Sequence, residues 1–455
     1  MTQETDELIE RLKAKVQARY DKDHEVKPEP GIVTANGAAV GFDHFYAYLK
    51  QHKYIFIPTG ELWPVESINS CLPWIGKIRP SSWLDRNKAV EQMTWAPGEP
   101  ALIQHKLMRD SGWIDHVNAA VYNLYRPTNI ELGNADNAQP WIDHVFKIYP
   151  DEAEHIIKWF AYRCQHPEVK INHALVLGGA PGIGKDTLLT PVRTAVGYWN
   201  CASVSPQQLL GRFNPFLKSV ILIVSEARDL GDVNRPQFFE HLKAIIAAPP
   251  DVLLVDEKNT HEYYIPNLTG VVITTNHKVG GIYLTGDDRR HLVAWSSTEL
   301  KDFGAGYFAD IWDWYVNRGG LEDIAAYLHS TDTTDFDPKA EPPKTPAFWE
   351  IVTASEAPEN GEFATVLTSL GTPVIVVLDQ LCGIEADPDF AKHIKDRKNR
   401  RMIPRWMEAC GYRIVRNPES KQGLWKIHGK KQIVYGKADV HIRELMAEIH
   451  RKIFN

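Results

Sequence analysis

ALVLGGAPGIGKDTLL, Ala174 to Leu189, joins an apolar run, a glycine-rich turn and the start of a helix. The turn matches G-x-x-x-x-G-K from Gly179 to Lys185. This pattern sets backbone N–H groups around phosphates and brings a lysine to the terminal phosphates. Gly179, Gly182 and Gly184 let the backbone face an anion, and Ala180, Pro181 and Ile183 complete the cradle. A bland glycine turn is the alternative. The leading apolar strand and the following helix favour the nucleotide reading.

The residue after the lysine in such loops is Ser or Thr, whose hydroxyl holds Mg²⁺. Here it is Asp186. A second apolar run, SVILIVSE, ends in Ser225-Glu226, where an acidic pair would usually stand. The missing hydroxyl thus reappears at the second strand, and the missing carboxylate beside the lysine. Asp186 and Ser225 are expected to have exchanged roles at Mg²⁺, which accepts oxygen ligands of either kind. The alternative gives the hydroxyl to Thr187 and leaves Asp186 as a helix cap. Glu226 is the candidate base for the attacking water and a further candidate metal contact.

A third apolar run, GVVITTN, ends in Asn276, placed to sense the terminal phosphate or the attacking water. After it, GIYLTGDDRRHLVAW sets Arg289 and Arg290 before a fourth apolar run. An arginine supplied by a neighbouring subunit can stabilise charge on the transferred phosphoryl group. Which of the two would act is open, and a surface salt bridge is the plain reading of both. Between the second and third runs, VLLVDEKNTHEYYIP reads as a hairpin with a polar tip holding Lys258 and His261. Strands alternating with helices argue for an α/β sheet with parallel members.

The bulk numbers set limits. At 455 residues the chain is long enough for several domains. No run of 18 apolar residues suggests a membrane span, and the N-terminus lacks a secretory apolar stretch. Five scattered cysteines offer no C-x-x-C pair, so neither a zinc site nor a disulfide framework is expected. A cytoplasmic location follows, that of the host cell if the gene is phage-borne. The net charge of −7 hides an asymmetry. Residues 332–391 carry twelve Asp/Glu against two Lys/Arg, and 392–437 carry fourteen Lys/Arg against three Asp/Glu. Such an acidic stretch followed by a basic module is a nucleic-acid signal.

The organisation read from these features has four parts. Residues 1–150 hold a charged N-terminal helix and an α+β accessory region, and 151–330 the ATPase. Residues 331–347 form an acidic, proline-rich linker. Residues 348–455 form a basic, winged-helix-like domain whose Arg400, Arg401 and Arg405 on a helix, and Lys430 and Lys431 on a wing, are expected to meet DNA. A solvated basic domain docked on the acidic stretch is the competing reading.

Taken together, the loop, ILIVSE, the hairpin, Asn276 and the arginine pair resemble the superfamily 3 helicases of the AAA+ class, in particular the phage and plasmid primase-helicase ATPases. The resemblance spans roughly Phe42 to Ser297. It implies an AAA+ P-loop core, hexameric rings that translocate on single-stranded DNA, and a hairpin that contacts the strand through the region of Lys258 and His261. Asp186 and Ser225 depart from the family pattern, which has Ser or Thr and an acidic pair there. With about 150 residues before the ATPase and no evident metal-binding carboxylate pair, no primase is expected within the chain. The expected function is therefore an ATP-dependent replicative helicase acting on single-stranded and forked DNA, partnered by a separate primase or polymerase. The alternatives are an ATP-hydrolysing switch or assembly scaffold, and a P-loop phosphotransferase on a small substrate.

Overall fold

The structure is a computed structural model that describes residues 40–225, 235–277, 282–381, 394, 403–420, 422–427 and 429–454. The expected charged N-terminal helix lies outside these residues. The chain divides into two compact units, Met1–Trp349 and Glu350–Asn455.

The first unit begins with two small sheets. Strands β1 (Phe45–Tyr48), β2 (Lys53–Phe56), β3 (Glu61–Pro64) and β4 (Ala89–Val90) pair in the order β3-β2-β1-β4. Helices α1 (Val65–Cys71) and α2 (Pro80–Asn87) cover them. Phe45, Tyr54, Ile68 and Leu84 pack as their core. Strands β5 (Gln92–Thr94), β6 (Leu102–Arg109) and β7 (Gly112–Asn123) form the second sheet, order β5-β7-β6. This region is α+β.

Helices α3 (Gln139–Ile148) and α4 (Ala153–Gln165) lead into the central sheet. Its strands are β8 (Ala174–Gly178), β9 (Cys201–Val204), β10 (Ile221–Val224), β13 (Gly270–Thr275) and β14 (His291–Trp295). They lie in the order β14-β8-β13-β10-β9, every neighbouring pair parallel. β8 and β10 are buried along their whole length, which explains their continuous apolar runs. Helix α5 (Lys185–Val196) follows the glycine loop and α6 (Arg235–Ile246) precedes a two-stranded hairpin, β11 (Val252–Val255) with β12 (Tyr263–Pro266). Helices α7 (Tyr307–Asn317) and α8 (Gly320–Ser330) complete the unit, and both contact α5.

Two features differ from the sequence reading. The edge strand β9 was not legible, because CASV is short and only its last residue is buried. The stretch 331–347, expected as a linker, is a strap fastened to the first unit. Thr345 Oγ1 donates to Val293 O at 2.6 Å, Asn172 N to Pro338 O at 2.8 Å, and Lys344 Nζ to Gly286 O at 2.6 Å. Phe336 packs on the rings of His155 and Tyr162. Composition marks such a segment as irregular but cannot show that its backbone is bound.

Helix α9 (Pro346–Ser369) enters the second unit. There β15 (Ile375–Val377), β19 (Val434–Lys437) and β16 (Tyr412–Val415) form an antiparallel sheet, order β15-β19-β16. Helix α10 (Ile403–Ala409) precedes β16, and β17 (Trp425–Ile427) pairs with β18 (Lys430–Gln432) as a separate hairpin. Helix α11 (Ile442–Phe454) closes the unit. Met407, Tyr412 and Tyr435 lie in one core cluster, and Val434, Leu445 and Ile449 in another. Among the described residues, no helix is long and apolar enough to cross a membrane.

Candidate nucleotide site and hairpin

In a parallel sheet the strand ends that share an edge also share whatever follows them. β8 ends at Gly178 beside Thr275 of β13, and β10 ends at Val224 beside Ile273. The glycine loop, Asn276 and Ser225 therefore leave the sheet along one edge. Gly179, Gly182 and Gly184 all have positive φ, at 145°, 80° and 91°. At Gly184 a side chain is also excluded by space, since a Cβ would lie 2.6 Å from the His144 ring.

Lys185 is the first residue of α5, and its ammonium donates three hydrogen bonds. The acceptors are Gly179 O at 2.8 Å, Ala180 O at 3.0 Å and Asn276 Oδ1 at 2.7 Å. The loop lysine and the strand-end asparagine are thus in direct contact. Burial pulls the Lys185 pKa down to about 8, and the nearby Asp186 opposes that shift. Asp186 itself is exposed, whereas Thr187 is 4% exposed, with its carbonyl accepting from Tyr315 Oη at 3.0 Å. Ser225 is half-buried, and its N–H donates to Val204 O at 3.0 Å. Glu226 lies outside the described residues.

A group of side chains that the sequence did not single out holds the loop from behind. His144 is fully buried. Its Nε2 lies 3.0 Å from Gly184 O and its Nδ1 lies 3.0 Å from Tyr307 Oη. A carbonyl can only accept, so Nε2 carries the proton and Nδ1 accepts from the tyrosine. Burial lowers the His144 pKa to about 4, so the ring is neutral at ordinary pH. Tyr149 Oη donates to Gly178 O at 3.1 Å, and Trp141 Nε1 to Leu188 O at 3.0 Å. No pattern of polar spacing marks these residues, because each acts on backbone distant in sequence, from α3 or the residue that ends it.

Arg289 and Arg290 stand at the opposite edge of the sheet. Ala174 N donates to Arg290 O at 2.8 Å, which sets the pair level with the entry of β8. Five strand residues, roughly 17 Å at about 3.3 Å each, separate that level from Gly179. Asp288 fixes the turn. Its Oδ1 accepts from Arg290 N and pairs with His291 Nδ1, each at 2.9 Å. Burial opposes ionisation of Asp288, but the His291 hydrogen bond and charge, with the Arg290 N–H, outweigh it and hold the pKa near about 2. Arg289 is exposed and Arg290 half-buried.

The β11–β12 hairpin leaves the same entry edge, because β13 begins just after Pro266. Lys258 and His261 are exposed in its tip. Residues 212–214 brace its outer strand. Asp256 N donates to Asn214 Oδ1 at 2.7 Å, Asn214 Nδ2 to Leu254 O at 3.0 Å, and Arg212 Nε to Asp256 Oδ2 at 2.9 Å. Exposed Phe213 and exposed Leu254 belong to the two segments joined this way. This joining of the two segments was not legible, since residues 212–214 read as an ordinary loop until the hairpin is placed beside them.

In the second unit Lys430 and Lys431 are exposed on β18, and Lys430 lies 3.3 Å from Asp379. Arg400 and Arg401 lie outside the described residues, as does the side chain of Arg405. Among the described residues no group of three or more His, Cys, Asp or Glu could hold a metal.

Comparison with known proteins bears on the fold. The sequence model of a family of unknown function (DUF5906) matches residues 177–290, from the end of β8 to the arginine pair. No curated protein matches the sequence. An apo structure of the NrS-1 C-terminal region superposes with a TM-score of 0.56 at 14% identity, covering 86% of this chain and 95% of that one. The fold is similar to that of the NrS-1 C-terminal region. An A-form apo structure of the same region gives a TM-score of 0.52 at 16% identity, covering 86% and 96%. A JCV helicase aligns over 51% of this chain and 65% of that one, at 14% identity and a TM-score of 0.27.

Proposed function

We propose that the chain is an ATP-driven, ring-forming DNA helicase of the superfamily 3, AAA+ type, working on single-stranded and forked DNA. The observation that carries this reading is the path of β13. At its exit end Asn276 touches Lys185, and at its entry end the strand continues from the hairpin. A change at the terminal phosphate, felt by Asn276, therefore has a six-residue strand through which to reach the hairpin tip. This is the connection a translocating ATPase needs. A small-substrate phosphotransferase would need a second pocket beside the loop instead.

Mg²⁺ fits the oxygen donors near the loop. A magnesium ion keeps several waters and takes one or two protein oxygens plus phosphates, so no cage of acidic residues is required. Asp186 and Ser225 would hold it. The exposure of Asp186 supports this choice over Thr187, which is packed beneath α7. Bound Mg²⁺ would supply charge to the phosphates, while Lys185 binds them and Asn276 orients the terminal group or the attacking water. Glu226 is the proposed base. The position of Arg289 and Arg290 at the entry edge, the five-residue length of β8 (roughly 17 Å along the strand) from the loop of their own chain, supports a role for the pair at a neighbour's site, hence a ring, for which we propose six subunits. Lys258, His261 and the exposed Phe213 would face the single strand, and the second unit's Lys430, Lys431, Arg400, Arg401 and Arg405 duplex DNA.

A strand-displacement assay on a forked duplex tests the reading. We expect ATP- and Mg²⁺-dependent unwinding that Lys185→Ala abolishes. ATP hydrolysis without any displacement would instead fit a switch or scaffold.

A further inference from the structure

The first unit contains a cavity of about 550 Å³ between the β2–β3 hairpin and the tip of the β11–β12 hairpin. Its size is that of a pocket for a small ligand or a nucleotide. Lys53, Glu61, Trp63, Lys218, Glu257 and Lys258 are among its lining residues. The charges do not cancel. Lys218 and Glu257 pair at 2.5 Å, and Glu257 also accepts from Tyr263 Oη at 3.2 Å. Glu61 accepts from Thr59 Oγ1 at 3.1 Å. Lys53, by contrast, donates to a backbone carbonyl, Asn259 O, at 2.9 Å, and Lys258 is exposed. Among the described residues neither ammonium has a carboxylate within ion-pairing distance. The cleft therefore presents two unneutralised cations, one from each wall, against the single carboxylate of Glu61.

We propose that this cleft binds the phosphodiester backbone of single-stranded DNA, with Lys53 of the accessory region and Lys258 of the hairpin each contacting a phosphate. This rests on the reading of the chain as a DNA-translocating ATPase and gives the accessory region a part in it. The accessory region is one wall of the strand's path. The Lys53–Asn259 contact holds the hairpin tip against that wall, and a phosphate offers the Lys53 ammonium a charged acceptor in place of the neutral carbonyl. A charged acceptor makes the stronger hydrogen bond. Glu61 limits affinity, so that the strand can leave as the hairpin moves.

The test is fluorescence anisotropy of a labelled thymidine 20-mer with the full chain, across a series of salt concentrations. Lys53→Ala and Lys258→Ala should each weaken binding about five- to tenfold. Each should also lower the slope of log affinity against log salt by roughly 0.7, the value for one lost phosphate contact on a single strand. Lys53→Arg keeps the charge and should bind as the unaltered chain does, which separates loss of contact from loss of fold. Glu61→Gln should tighten binding. Unchanged affinity and slope in both alanine variants, with the unaltered chain binding the 20-mer, would overturn the cleft proposal and leave the helicase reading standing. Failure of the unaltered chain to bind any single strand would overturn both. If Lys53→Ala abolished binding of thymidine monophosphate but left the 20-mer slope intact, the cleft would be a mononucleotide site and the proposal would fall.

Discussion

The lysine of the glycine loop should make nucleotide affinity pH-dependent well above neutrality. Burial holds the Lys185 pKa at about 8, against an ordinary value of 10.5. Only the ammonium form can pair with terminal phosphates, and bound phosphates return the group to its charged form. The sign follows from that. Below pH 8 the lysine is already protonated and binding needs no proton. Above pH 8 each binding event must take one up, so apparent affinity falls by the factor 1 + 10^(pH−8). Between pH 7 and pH 9 the dissociation constant should rise about tenfold, equivalent to about 1.4 kcal/mol. Uptake at pH 8 should be about half a proton per site, from the same midpoint. The ligand adds nothing to this window, because phosphate esters lose their last proton near about pH 6. His144 beneath the loop adds nothing either, with a pKa of about 4. Titration with a fluorescent ATP analogue at fixed excess Mg²⁺ gives the affinities. Calorimetry in two buffers of different ionisation enthalpy gives the proton count. A dissociation constant constant within twofold from pH 7 to 9, with no buffer-dependent heat, would refute the reasoning.

Two further outcomes follow from the geometry. If Asp186 and Ser225 share Mg²⁺, Asp186→Ser and Ser225→Asp should each impair magnesium-dependent ATPase and the double variant recover much of it. The coupling should be on the order of 1–3 kcal/mol, and additive losses would return the hydroxyl to Thr187. Asp288→Asn should destabilise the first unit by about 2 kcal/mol at pH 7, from a carboxylate whose pKa falls from 3.8 to about 2 on folding. That contribution is present above about pH 4 and is lost as pH falls towards 2. Urea unfolding should therefore show the gap between variant and unaltered chain closing at about pH 3, and an unchanged gap would count against the pairing.

Much of the central sheet was legible because parallel strands buried on both faces are written as unbroken apolar runs. ALVLG, ILIV, GVVITT and HLVAW are all strands, and because they run parallel the residues that follow them, Gly179, Ser225, Asn276 and Ser296, leave the sheet along one edge. The hairpin was legible from two apolar arms around a polar tip. What could not be read depends on contacts between distant segments. His144, Tyr149 and Trp141 grip the backbone of the loop and of the strand and helix that flank it, across 29 to 47 residues, and nothing local announces that. The strap over 331–347 has the composition of a linker, and it is its contacts with distant segments, among them the bonds to Asn172, Gly286 and Val293, that distinguish it. The strand order β14-β8-β13-β10-β9 follows from no single segment, yet it is what brings Asn276 beside Lys185.

The central claim is that one subunit's loop works with the next subunit's arginines, and subunit mixing tests it most directly. A chain carrying Arg289→Ala with Arg290→Ala keeps its own loop but offers none to a neighbour's site. A Lys185→Ala chain has the reverse defect. Each alone should be inactive in steady-state ATP hydrolysis. Mixed, they should recover a measurable fraction of the unaltered rate, because some interfaces then join an intact loop to intact arginines. No recovery, with both chains folded and mixed oligomers demonstrated, would contradict the account.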